Sequence, residues 1–173
     1  DLKTAISEPI ENSSDAHATK VDINFLPLGP ADQIITVEDN GIGMDIDDLQ
    51  RAMSFYTSDK DQDDLGENGV GLKMGCGYLA SKWTIDTTKA GNDRVYSIQE
   101  DVDTPAESFD YEVNEKPANK EDHFTKIRLH SRIKYRKRDI ENLRDFLGKR
   151  YHRIIQNGFQ IKINGKAVTP KPI

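Results

Sequence analysis

Hydrophobic residues at the start of the chain recur at every fourth place: Leu2, Ile6 and Ile10. That spacing lays one apolar stripe along a helix and predicts a helix over residues 2–17. The period then changes. KVDINFL (20–26) alternates apolar and polar residues, and IITVED (34–39) is a second short apolar-rich run. Both predict strands, separated by the Gly- and Pro-containing turn LGPADQ. NGIG after the second run predicts a tight loop. DIDDLQRAM (45–53) predicts a short helix whose acidic start suits the helix dipole. Residues 56–71 are polar and glycine-rich and predict a long loop, followed by a helix over KMGCGYLASK (73–82). Four alternating runs predict strands: WTIDTTK (83–89), RVYSIQED (94–101), FDYEV (109–113) and FTKIRLHS (124–131). Ile140, Leu143, Leu147, Tyr151 and Ile154 give helical spacing over 138–156, and FQIKING (159–165) closes the chain as a strand or begins a following unit. Strands in adjacent runs, rather than in strict alternation with helices, favour an α+β fold: a two-layer sandwich of a mainly antiparallel sheet with helices on one face.

On the first helix, Glu8, Asn12 and Asp15 fall within a narrow arc roughly opposite the apolar stripe. Alone, this is an ordinary amphipathic helix with a solvated polar face. Pro9 adds a constraint. It removes one backbone donor, which leaves the Ala5 carbonyl without its helical partner and predicts a kink or a set geometry.

Two glycine loops follow. VEDNGIGMD (37–45) puts Asp39 at a strand end, where a carboxylate can accept from an exocyclic amine. Gly41 and Gly43 would let a flat ring approach the backbone, with Met44 as a soft apolar wall. A plain Asp-Asn-Gly turn needs no ligand, and that reading stays open. GENGVGLKMG (66–75) is a glycine-rich loop running into a helix, a place where backbone N–H groups hold phosphate. Its Gly66, Gly69 and Gly71 match neither a Walker A loop nor the dinucleotide fingerprint. DKDQDD (59–64) resembles a calcium loop in its alternate aspartates. It has Asp64 and Val70 where the glycine and glutamate belong, so a solvated lid is the better reading.

Composition narrows the picture. The 173 residues, 35% hydrophobic and 31% charged, suit one domain with a substantial core. No apolar run approaches the roughly 20 residues of a membrane helix, and no signal peptide is visible, so no membrane partner is expected. Opening on Asp1 rather than methionine, the chain is expected to be a fragment of a longer one. The single cysteine, Cys76, makes no intramolecular disulfide and fits a reducing, intracellular setting, cytoplasmic or nuclear. The net charge of −6 is unevenly spread: 10 Lys and Arg against 27 Asp and Glu in residues 1–123, then 14 against 3 in 124–173. The basic stretch over 132–153, with KYRKR inside it, is a solvated basic helix or a surface for nucleic acid.

The ordered set of motifs resembles a known family: the superfamily of gyrases, heat-shock chaperones, histidine kinases and mismatch-repair ATPases, with the Bergerat nucleotide fold. Its helical Glu-x-x-x-Asn motif, continuing to Ser-x-Asp-Ala, is similar to Glu8-Pro-Ile-Glu-Asn12-Ser-Ser-Asp15-Ala16. Its Asp-x-Gly-x-Gly motif is similar to Asp39-Asn-Gly41-Ile-Gly43, and its Gly-x-x-Gly-x-Gly motif to Gly66-Glu-Asn-Gly69-Val-Gly71. A threonine opening a late strand corresponds to Thr125. The glycine-rich segment looks closest to the chaperone, mismatch-repair and microrchidia-type branches. The resemblance implies a single ATP-binding domain over 1–173, with residues from about 157 able to begin a further unit. It implies Glu8 as general base and Asn12 as the ligand of Mg²⁺ bridging the phosphates of ATP. Asp39, helped by Thr125, would read the adenine amine. Asp15, Gly43 and Met44 would line the adenine end, and Gly69, Val70, Gly71, Leu72 and Lys73 would hold the phosphates. The function implied is Mg²⁺-dependent ATP binding and slow hydrolysis, driving lid closure and homodimerisation of a larger protein. A nucleotide-binding sensor without hydrolysis, or a nucleic-acid-binding domain using the basic 132–153 region, is the alternative, and nucleic acid or a protein client is a further expected partner.

Overall fold

The computed structural model describes residues 1–27, 32–57 (backbone alone for 54–57), 80–101 and 112–172. In chain order these form α1 (Leu2–Asp15), β1 (Lys20–Pro27), β2 (Gln33–Asp39), α2 (Ile46–Thr57), β3 (Ala80–Thr88) and β4 (Arg94–Asp101). There follow β5 (Val113–Pro117), β6 (Phe124–Ser131), α3 (Lys137–Arg150), α4 (His152–Gln156), β7 (Gln160–Ile163) and β8 (Lys166–Ala167). The eight strands make one sheet in the order β5-β4-β3-β6-β2-β1-β7-β8. Every neighbouring pair is antiparallel except β1 and β7, which run parallel. This is the α+β, mainly antiparallel architecture that the runs of strands predict.

Alternation decides which face is covered. Val21, Ile23 and Phe25 of β1, Ile35 and Val37 of β2, Trp83 and Ile85 of β3, and Ile127 and Leu129 of β6 all point into one cluster. Ile6 and Ile10 of α1, Leu49 and Met53 of α2, and Leu143 and Leu147 of α3 close it from the helical side. Each such buried side chain contributes about 1.5–3 kcal/mol relative to exposure. The intervening strand residues are mostly polar. Among them Lys126 pairs in register with Glu38 on one side and Asp86 on the other, an arrangement of opposite charges that favours this register. Ile161, Ile163 and Val168 join the same core, and β7 and β8 extend the sheet beside β1. Asn164 and Gly165, both at positive φ, make the tight turn between these two strands. No helix among the described residues is long and apolar enough to cross a membrane.

Three element boundaries differ from the sequence pattern. Ala80, Ser81 and Lys82 open β3 instead of ending a helix. Ladder pairing with Ser131 and His130, around a bulge, and full burial of Ala80 outweigh their helical preference. The helix over 138–156 breaks at Tyr151, whose ring is buried and whose hydroxyl donates to Glu11 Oε1 at 3.1 Å on α1. The fifth strand begins at Val113, opposite Ile98, and ends on Pro117, where a strand tolerates a missing donor. Residues 73–79 and 109–111 lie outside the described residues.

One row of this sheet is polar. Asp39, the last residue of β2, is the partner of Thr125 on β6, and Thr125 is the partner of Thr87 on β3. The loop after β2 and the C-terminal half of α1 meet at this end of the sheet.

Candidate functional site

Asp39 sits at that meeting point, buried at 9% exposure. Its Oδ1 accepts from the Gly41 N–H at 2.8 Å, and its Oδ2 lies 2.7 Å from the Ser13 hydroxyl on α1. Burial raises the carboxyl above its ordinary pKa, and the bonds from Ser13, Gly41 and the Thr125 backbone pull it partly back. Its folded pKa therefore exceeds its unfolded one. Ionising it in place costs stability, a cost absent below the unfolded pKa and full above the folded one. Asparagine can keep both contacts, accepting from Gly41 and donating to Ser13. Asp39→Asn is therefore expected to melt above wild type at pH 7, with the gap closing as pH falls towards about 4. Thermal melts at both pH values check this.

The loop that follows is fixed from four sides. Asn40 is absorbed by structure: its Oδ1 accepts from the N–H groups of Thr19 and Lys20, and its amide donates to Thr19 Oγ1. The Ile42 N–H donates to the Ala16 carbonyl at 2.9 Å, and the His123 Nδ1 donates to the Gly41 carbonyl at 2.9 Å. The Met44 N–H donates to Thr87 Oγ1 at 3.0 Å. The same oxygen donates to the Phe124 carbonyl at 2.9 Å and shares a 3.0 Å hydroxyl pair with Thr125. Gly43 adopts φ +72°, and a Cβ there would stand 1.7 Å from the Thr88 carbonyl oxygen. Part of what its missing side chain does is thus to seat the loop on β3.

These elements enclose a cavity of about 290 Å³, at the small end of the range for ligand sites. Of the residues singled out from the sequence, Asn12, Asp15, Asp39, Gly43, Met44 and Thr125 all line it. Glu8 is half-buried on α1, one turn before Asn12, and is not among the lining residues. Gly69, Val70, Gly71, Leu72 and Lys73 lie outside the described residues. Pro9 is buried within an unbroken α1 and forms part of the cavity wall, and on the polar side of this helix Asn12 and the exposed Asp15 border the same cavity.

Sequence reasoning missed several contributors. Thr87 was one; its place two residues beyond Ile85 in an alternating strand carried the signal, because it had to point inward with Trp83 and Ile85. Ser13 lay inside the first motif without a role. At the rim, Asp48 pairs with Arg51 at 3.8 Å, an i,i+3 neighbour on α2, and with Lys89 at 3.5 Å, a partner on another element that no local pattern announces. The basic stretch is partly consumed by the fold. Arg144 donates to the carbonyls of Ile163, Lys166 and Ala167, and Arg150 pairs with Glu11 at 3.0 Å.

Mg²⁺ needs oxygen donors and shares its shell with substrate phosphates and water rather than a full protein cage. The Asn12 carboxamide, opening on the cavity, fits that demand. Among the described residues no group of three or more His, Cys, Asp or Glu converges to hold a metal by itself.

Comparison with known proteins gives this arrangement its class. Residues 1–141 match the family model of the histidine kinase-, DNA gyrase B- and HSP90-like ATPases, and the chain belongs to that family. Within it, the similarities fall on the microrchidia and mismatch-repair branches. The chain is 33% identical over 88 residues to the ATPase morc-1 of Caenorhabditis elegans, covering 51% of this chain and 10% of that protein. It is 41% identical over 59 residues to the DNA mismatch repair protein MutL of Nostoc punctiforme, covering 34% of this chain and 10% of the relative. The matched segments thus span about a tenth of the length of these relatives. Its fold matches the Aquifex aeolicus MutL ATPase domain complexed with ADP, with a TM-score of 0.61 at 16% identity over 97% of this chain and 62% of that one. The N-terminal domain of a DNA repair protein matches at 0.57 and 19% identity, over 94% of this chain and 49% of the other.

Proposed function

We propose that the chain binds ATP with Mg²⁺ and hydrolyses it slowly, and that nucleotide drives lid closure and dimerisation of a larger protein. The observation that carries the reading is a single cavity with a buried, doubly held carboxylate, Asp39, at its sheet end and the Asn12 carboxamide on its helical wall. Membership of an ATPase family supports it.

In this reading Asp39 accepts from the adenine 6-amino group, which guanine lacks at that place. Thr125, beside it in the same row, is the second polar contact at the base edge. Met44 and Gly43 cover one face of the ring, and Asp15 stands at the cavity rim. Asn12 holds the metal through its side-chain oxygen, and Mg²⁺ when bound neutralises charge on the phosphates. Gly69, Val70, Gly71, Leu72 and Lys73 supply backbone donors and a charge to the phosphates. Glu8, one helical turn from Asn12, orients and deprotonates the attacking water. Phosphoryl transfer depends mainly on such positioning and on electrostatics, so no covalent step by the protein is needed.

Titration of the chain with a non-hydrolysable ATP analogue and Mg²⁺ tests this. Wild type is expected to bind, and Asp39→Asn to bind about tenfold or more weakly through loss of a charged acceptor. No binding by wild type, or equal binding by both proteins, overturns the reading. Because the asparagine variant is expected to be at least as stable at neutral pH, unfolding does not confuse the result.

A further inference from the structure

Ser13 holds Asp39 without itself lining the cavity. It is 2% exposed, and it stands behind the cavity wall rather than on it. Its Oγ lies 2.7 Å from Asp39 Oδ2 and 2.7 Å from the Pro9 carbonyl oxygen. A hydroxyl has one proton to give, and both neighbours compete for it when Asp39 is ionised. The carboxylate is the stronger acceptor, since a charge-assisted bond is worth about twice a neutral one. The Pro9 carbonyl meanwhile has the helix's own ladder to draw on.

With the Ser13 proton on Oδ2 and the Gly41 N–H on Oδ1, each carboxylate oxygen is held by one donor. Rotation of the group about its own axis would break both bonds. The two anchors come from different elements, α1 and the loop after β2. The carboxylate therefore also ties the helix bearing Glu8 and Asn12 to the end of the sheet.

We propose that Ser13 is a specificity-determining positioning residue: its hydroxyl fixes the Asp39 carboxylate so that it accepts from the 6-amino group of a purine base. The proposal rests on the reading of the cavity as an ATP site. Ser13 touches no base itself and acts only through Asp39. Its removal should therefore weaken only those ligands that use the 6-amino contact.

Equilibrium titrations with ATP and with purine riboside 5′-triphosphate, which lacks the 6-amino group, test it. The proteins are wild type, Asp39→Asn, Ser13→Ala and the near-isosteric Ser13→Cys, whose thiol is a weak donor. Wild type should prefer ATP. Both Ser13 variants should lose roughly tenfold in affinity for ATP while holding purine riboside triphosphate within about twofold. A merely structural serine would weaken both nucleotides by the same factor, and that result overturns the proposal. A preference for ATP that Asp39→Asn removes and both Ser13 variants retain overturns the proposal alone. A wild type indifferent to the 6-amino group overturns the base-reading role of Asp39 and the proposal with it.

Discussion

Glu8→Ala is expected to reduce ATP turnover by about 10²- to 10⁴-fold, the usual contribution of a positioned general base, and to leave ATP affinity nearly unchanged. The split follows from where the residue stands. Glu8 is half-buried and off the lining of the cavity, one turn of α1 ahead of Asn12, which is on it. A side chain there is beyond the base-binding end and nearer to where the terminal phosphate would lie if Asn12 holds the metal. It has little to give to ground-state binding and much to give to an attacking water. Phosphate release at saturating ATP, measured beside an equilibrium titration, reads both quantities. Turnover equal to wild type would take Glu8 out of the role. Turnover undetectable in wild type, with ATP still bound, would favour the sensor without hydrolysis.

How legible this site was in the sequence depended on the range of the interactions involved. The helix face bearing Asn12 and Asp15 was readable from its 3.6-residue period, and the strand ending at Asp39 from its apolar run. Local pattern alone could not say that Asn12 and Asp15 on that face border a cavity. That required the order of motifs and their resemblance to a family. The cross-strand row of Asp39, Thr125 and Thr87 joins residues far apart in the chain, so only the sheet order β3-β6-β2 brings them together. The same holds for Tyr151. Its spacing fitted a continuous helix, and its hydroxyl bond to Glu11, a contact spanning most of the chain, accompanies the break. Pro9 illustrates the opposite case. Its cost to the helix was visible at once, and its place on the cavity wall could be seen only after folding.

Gly43→Ala is expected to weaken nucleotide binding by about 100-fold or more and to lower the melting temperature by several degrees, whereas Gly91→Ala should do neither to the same extent. Both glycines have positive φ, at +72° for Gly43 and +95° for Gly91, so both substitutions carry the roughly 1–2 kcal/mol strain of a left-handed L residue. Only the surroundings differ. A Cβ on Gly91 would meet nothing within 4 Å. A Cβ on Gly43 would lie 1.7 Å from the Thr88 carbonyl oxygen and 2.7 Å from its carbon, and these are backbone atoms of β3 that no rotamer change can move aside. The loop would have to lift. Lifting it breaks the Met44 N–H bond to Thr87, and the Gly41 contacts with Asp39 and His123 lie two residues away on the same short loop. Those contacts hold the wall of the cavity and one oxygen of its buried carboxylate, so affinity should fall by about 100-fold or more, the sum of two or three such bonds. Parallel melts and ATP-analogue titrations of the two variants separate strain from seating. Equal losses in both, with binding retained, would mean that the loop is not held on β3 as described.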